Sequence, residues 1–156
     1  MGVAGDVRRL ALYALIGACY ATGPAIAGMP DPFAYKFENT PIEGPLNPAV
    51  EKRYSPQFKA CQEKAVATPD IADCFSLEFS RQDTALNKAW PITRGRLKAD
   101  RQAALLAAQR KWIAGRDPFC KTVAGGFKGG TIMPIAYADC RVEQTIRRTL
   151  WLEKLR

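Results

Sequence analysis

From Tyr54 onward the apolar positions recur at helical spacing in four blocks, separated by short breaks rich in proline, glycine or polar residues. In "SPQFKACQEKAV", Ser55 is placed to cap a helix and Pro56 to occupy its first position, with Phe58, Cys61 and Ala65 on one face; this predicts a short helix ending near Val66. After "TPD", Asp70 is the expected cap of a second helix whose inward stripe is Ile71, Cys74, Phe75, Glu78, Phe79, Leu86 and Ala89. Pro91 in "WPITRGRL" should kink that helix or start a new segment, because proline removes a backbone donor and clashes with the preceding turn. Asp100 is the expected cap of a third helix, "RQAALLAAQRKWIAGR", in which Leu105, Ala108, Gln109, Trp112 and Arg116 share a face. It should end near Asp117-Pro118, since a residue before proline avoids the helical region. A last helix is predicted over roughly Pro134 to Leu155, with Tyr137, Cys140, Gln144, Trp151 and Leu155 on one side. The pattern predicts an all-α, small four-helix bundle-like domain over residues 54–156.

The chain ahead of that domain has a different pattern. Arg8 and Arg9 precede "LALYALIGAC", an apolar stretch too short to span a bilayer, so residues 1–27 read as an export signal rather than a transmembrane helix. Cleavage after Ala27 is favoured by the small residues of "AIAG". The competing route is a lipoprotein anchored at Cys19, because "LIGAC" has the form of a lipobox. Residues 28–53 carry five prolines and no steady hydrophobic period, and are expected as a flexible tether or a segment draped on the domain. The expected location is periplasmic or secreted, with no transmembrane span after processing.

Export changes the reading of the cysteines. Cleavage or lipidation accounts for Cys19 and leaves four, Cys61, Cys74, Cys120 and Cys140, an even number that points to two disulfides in an oxidising compartment. If the first two helices turn back on each other near Thr68, Cys61 and Cys74 lie at similar height across an antiparallel pair and should be bonded. By exclusion Cys120 joins Cys140. No histidine is present and no CxxC spacing occurs, so no metal site and no cofactor is expected, and the commonest general base is missing.

The 23 basic and 15 acidic residues give +8, and counting from Tyr54 onward gives 18 and 10, so the excess stays with the folded part. Such a surface favours anionic envelope polymers or lipid headgroups; nucleic acid is a poor partner for an exported chain without an aromatic-basic signature. "RGRLKADR" concentrates Arg94, Arg96, Lys98 and Arg101 as the contact for such a surface, with solvated helix ends as the plainer reading. Gln109, Trp112, Arg116 and Asp117 form the one constellation inviting an active-site reading. Neighbours on a helix point about 100° apart, however, so a structural polar network is the better expectation. The loop "GGFKGG" lacks the P-loop pattern; it reads as a connector, or as a mount presenting Phe127 and Lys128 to a partner. Glu78, Asp83, Asp139 and Glu143 are expected in surface ion pairs rather than as a glycosidase acid pair, so no catalytic residue is assigned and the protein is read as a non-enzyme.

Cys61 and Cys74, "ALNKAW" at 85–90, Arg101, "QRKWIAGRD" with Cys120, "GGT" at 129–131, and Cys140 followed by Thr145 and Arg148 together resemble the LprI-type lysozyme-inhibitor family, from about Tyr54 to Leu155. Two positions depart from its usual pattern: Pro91, where the family continues its helix, and Gly115, where larger residues are common. The resemblance implies a bacterial cell-envelope protein and, for some members, inhibition of lysozyme; the expectation is inhibition of lysozyme or a related muramidase by occlusion of its cleft. The alternative is a basic envelope protein that binds anionic polymer or lipid.

Overall fold

Three long helices and two short ones account for the fold of the residues that the computed structural model describes, 33–38 and 47–155. In chain order they are α1 (Pro48–Glu51), α2 (Pro56–Gln62), α3 (Thr68–Gly95), α4 (Ala99–Gly125) and α5 (Met133–Lys154), with no strand among the described residues. Residues 1–27, expected as an export signal, with Cys19 and Ala27, lie outside them.

Local chemistry sets the starts. Asn47 caps α1, its side chain accepting from Ala49 N at 2.9 Å, and Ser55 caps α2, its hydroxyl accepting from Phe58 N at 3.0 Å; proline follows each cap. Asp70 is not the cap of α3. The helix begins at Thr68, and Asp70 sits inside its first turn, where its carboxylate accepts from Ala67 N at 3.1 Å. Nor does Asp100 cap α4, which starts at Ala99 with Lys98 in the cap position.

Both proline breaks expected from the pattern are absent. α3 runs through Pro91 to Gly95, and α4 through Pro118 to Gly125. The carbonyls that lose their partners belong to Asn87 and Ala114, both on exposed residues where water can replace the bond. On the opposite faces burial continues without a gap, through Leu86, Ala89 and Thr93 on α3 and through Trp112, Arg116, Cys120 and Ala124 on α4. Packing on one side and solvation on the other outweigh the local preference.

α5 is the central helix. Gln109 with Arg148 and Cys120 with Cys140 show α4 antiparallel to it, while Phe79 with Arg141 and Thr93 with Leu152 show α3 parallel. Because α5 is packed from both sides, five consecutive residues, Val142 to Thr145 and Ile146, are all buried. The single inward face expected for this helix is replaced by burial around most of its circumference. The hydroxyls of Thr145 and Thr149 are satisfied within the helix, donating to the carbonyls four residues back at 2.7 and 2.9 Å.

Two apolar clusters flank α5. One gathers Val50, Tyr54, Phe58, Cys74, Val142 and Ile146; the other gathers Phe33, Leu86, Leu97, Leu105, Ala108, Trp112 and Leu152. Residues 33–38 belong to the second. In "FAYKFE", Phe33, Tyr35 and Phe37 turn inward and Ala34, Lys36 and Glu38 outward, the alternation of an extended strap. Phe33 is 1% exposed. The strap is tied to α5 by Gln144 Nε2, which donates to Glu38 O at 2.6 Å, and by the ion pair of Arg147 with Glu38 at 3.0 Å.

Candidate functional site

Five places collect the chemistry of the described residues. The first lies at the Cys120–Cys140 bond, whose Cα atoms are 5.5 Å apart. One turn before Cys120, Arg116 Nε donates to Asp117 Oδ1 at 2.8 Å, and Arg141 of α5 reaches the same oxygen at 3.3 Å. Both guanidiniums also lie over the ring of Phe79 on α3, at 4.8 and 3.9 Å from its centroid, and Arg116 extends toward Asp83 at 3.9 Å. Burial alone would raise the Asp117 carboxyl, but its hydrogen bond and charge contact with Arg116, and then Arg141, hold it below the usual range. Arg116 and Asp117 thus face each other rather than a shared ligand, and join three helices.

Gln109 and Trp112 belong to a second group. Arg148, buried on α5, donates from Nε to Gln109 Oε1 at 2.8 Å, and its guanidinium lies 4.0 Å from the Trp151 ring, 5.3 Å from Tyr35 and 5.7 Å from Trp112. Gln109 therefore serves a buried cation. Burial pushes the Tyr35 hydroxyl up to about 12, against the lowering charges of Arg147 and Arg148.

Of the four acids expected in surface pairs, Asp83 is in one, with Arg116, but Glu78, Asp139 and Glu143 are not. Glu78 is fully buried and accepts from Ser55 N at 2.9 Å, Ser55 Oγ at 2.5 Å and Gln82 Nε2 at 2.7 Å, tying α2 to α3. Gln82 Nε2 also donates to Arg53 O at 2.7 Å. Glu143 is buried and accepts from Arg147 at 2.7 Å. Asp139 accepts from Tyr54 OH at 3.1 Å; burial, with the charge of Glu143 added, pushes it up to about 6 even though that hydrogen bond favours the charged form. The Tyr54 hydroxyl is raised by burial and then by Asp139. The reason is tertiary: α1, α2 and the segment between them cover the side of α3 and α5 that the helical pattern leaves for solvent. Among the described residues no group of three His, Cys, Asp or Glu side chains is placed to hold a metal.

The remaining two places are at the ends of the helices. Arg94, Arg96, Lys98 and Arg101 are exposed around the turn from α3 to α4; Arg96 lines a cavity of about 380 Å³ with Lys88, Ile92 and Thr93, while Arg101 lies 5.3 Å from the Phe33 ring. The turn from α4 to α5 carries Phe127 and Lys128. Phe127 is half-buried and Lys128 exposed, and successive bonds, Phe127 N to Ala124 O at 2.9 Å and Gly130 N to Phe127 O at 2.9 Å, wind the loop into turns. Gly129 has φ 82°, which glycine adopts without strain.

The second bond, Cys61–Cys74, has Cα atoms 5.7 Å apart and links α2 to α3, so both disulfides are paired as expected, this one from matching helix heights and Cys120–Cys140 by exclusion. Sequence reasoning missed Phe33, Tyr35, Phe37, Tyr54 and the partner of Arg148. The period-two aromatics of "FAYKF" were the available signal for the strap.

No solved structure matches the chain. An uncharacterized protein of Rhizobium meliloti (strain 1021) is 30% identical over 105 residues, covering 59% of this chain and 76% of the relative. The family model described as lysozyme inhibitor LprI matches residues 60–152, a span holding both disulfides and all three long helices apart from the last residues of α5, and the chain belongs to that family.

Proposed function

We propose that the protein is an exported envelope inhibitor of lysozyme-type muramidases that acts by occluding the target's cleft. Family membership carries this reading. The disposition of the acids supports a binding role over glycosidase chemistry: Glu78 and Glu143 are closed off from solvent with their oxygens engaged, so neither is placed to meet a substrate. A scaffold stapled twice suits occlusion, because a rigid surface loses little freedom on binding. Export through residues 1–27, with cleavage after Ala27 or lipidation at Cys19, is part of the same proposal; no described helix is long and apolar enough to cross a membrane. The test is the clearing of a wall suspension by lysozyme with the oxidised protein added. Slowed clearing is expected, and unchanged clearing at micromolar protein removes the reading.

The exposed cluster Arg94, Arg96 and Lys98 favours a second reading, attachment to an anionic envelope polymer or lipid. Retention on an acidic polymer should weaken as salt rises; salt-independent retention would count against it.

A further inference from the structure

Family membership leaves open which surface meets the glycosidase. We propose that the α4–α5 tip is the element that enters the cleft, with the Lys128 ammonium set against the target's catalytic carboxylates; this rests on the inhibitory reading above.

The charge pattern is the first observation. Between Asp117 and Asp139 the chain contains no acidic residue, and its charged groups are Lys121 and Lys128, both exposed. The α3–α4 turn is likewise free of acids, from Thr84 to Ala99, with Lys88, Arg94, Arg96 and Lys98 exposed, whereas Arg53 stands with Glu153, Arg116 and Arg141 with Asp117, and Arg147 with Glu38 and Glu143; the α4–α5 tip differs in presenting one cation, Lys128, beyond the Cys120–Cys140 bond. A glycosidase of this class must keep two carboxyl groups across the scissile bond, about 5 to 10 Å apart, so its cleft has an anionic floor whatever the rest of its surface carries. With a net charge of +8, this chain gains no long-range steering toward a basic target. The favourable electrostatics must then be local, and the acid-free tip supplies a local cation.

Shape is the second. Residues 128–134 are all exposed, α4 ends at Gly125, and the connection to α5 contains Gly126, Gly129 and Gly130, so no bulky side chain directly follows Lys128 in the chain. Its base is fixed: Cys120 is bonded to Cys140, and Ala124 and Ala136 are 1% and 3% exposed where the helices close on each other. The tip therefore presents Lys128 from a stapled mount. Beside it Ala124, Met133, Pro134 and Tyr137, with Lys121 at the edge, line a largely apolar cavity of about 310 Å³, and Ile132 and Met133 are 40% exposed. A cleft rim offers apolar and aromatic groups to such a cavity, which gives the contact a dry part as well as a charged one.

The test uses the oxidised protein, c-type lysozyme, and tri-N-acetylchitotriose as an occupant of the cleft. Inhibition by the parent should be relieved competitively by the trisaccharide. Lys128→Gln should raise the concentration for half-inhibition about tenfold or more, Lys128→Arg should retain most of the effect, and Lys111→Gln, an exposed cation on α4 away from the tip, should change nothing. Unchanged melting temperatures across the set exclude a folding defect. If the parent inhibits but Lys128→Gln inhibits equally, or if the trisaccharide has no effect, the tip assignment falls and the inhibitory reading stands. A parent that does not inhibit overturns both.

Discussion

Gly115 lies directly under Phe37: a methyl group at position 115 would stand 2.9 Å from Phe37 Cε2 and 3.2 Å from its Cζ. The absence of a side chain at Gly115 thus makes room for the strap. Phe37 stacks on Phe119 at 5.1 Å and on Trp112 at 6.4 Å, and both contacts depend on that close approach.

Gly115→Ala should consequently behave differently in two backgrounds. In the middle of α4 alanine gains about 1 kcal/mol over glycine in helix propensity. With Phe37 present, displacement of the ring should offset much of that gain; in Phe37→Ala the full gain should appear. Denaturant unfolding of the four proteins should give a coupling of about 0.5 kcal/mol or more. Equal effects in both backgrounds would show that the ring moves aside freely.

The raised pKa of Asp139 predicts a pH window. Its ordinary value is 3.8 and its folded value about 6, so between these the folded state holds a proton that the unfolded chain has released. The stabilisation is complete below about pH 4 and lost as pH rises through 6, a change of up to about 3 kcal/mol at 1.4 kcal/mol per unit. Asp139→Asn, neutral throughout and still able to accept from Tyr54, should gain stability relative to the parent as pH is taken from 4 to 7. Asp117, held low by Arg116 and Arg141, acts with the opposite sign and loses its contribution in stronger acid. A variant-parent difference independent of pH would remove the assignment.

Gln109→Leu should destabilise the fold by about 2 kcal/mol, because it deletes an acceptor from a fully buried guanidinium. Arg116→Ala should likewise lower the unfolding midpoint, by loosening the link among Asp117, Phe79 and Asp83. Its folded fraction should inhibit lysozyme as well as the parent does. A stable Arg116→Ala protein that had lost inhibition would make this network a contact surface.

Replacing Cys120 and Cys140 together by alanine should cost about 3 kcal/mol, since the bond closes a loop of 20 residues in the unfolded chain. Thermal unfolding of the double variant beside the parent measures it. Inhibition should fall more than the folded fraction does, because the mount of Lys128 is loosened even where the helices persist.

α2 and the three long helices were legible because a helix depends on near neighbours, through its period and, at Ser55, its cap; Cys61–Cys74 followed from matching height and Cys120–Cys140 by exclusion, while α1 was not foreseen. Pro91 and Pro118 misled because a single residue reports its local preference and not the continuous buried face opposite it. Glu78, Glu143 and Asp139 misled for a related reason. Their burial is produced by α1, α2 and the turn at Tyr54, which arrive from elsewhere in the chain, and no period within α3 or α5 records that cover. Gln109, Trp112 and Arg116 are all buried, and Arg148, supplied from another helix, is the half of the contact that spacing does not reveal.

The strap also separates two meanings of a domain boundary. Similarity to the family starts at residue 60, whereas the packed body includes Phe33, Tyr35 and Phe37, along with the Asn47 and Ser55 caps. The unit of homology is thus smaller than the unit of stability. A fragment cut at the edge of the family match would lose the aromatic cover over Trp112 and Trp151 and open the cage around Arg148 to water. Aggregation of such a fragment would reflect where it was cut, and would say nothing about what the intact protein binds.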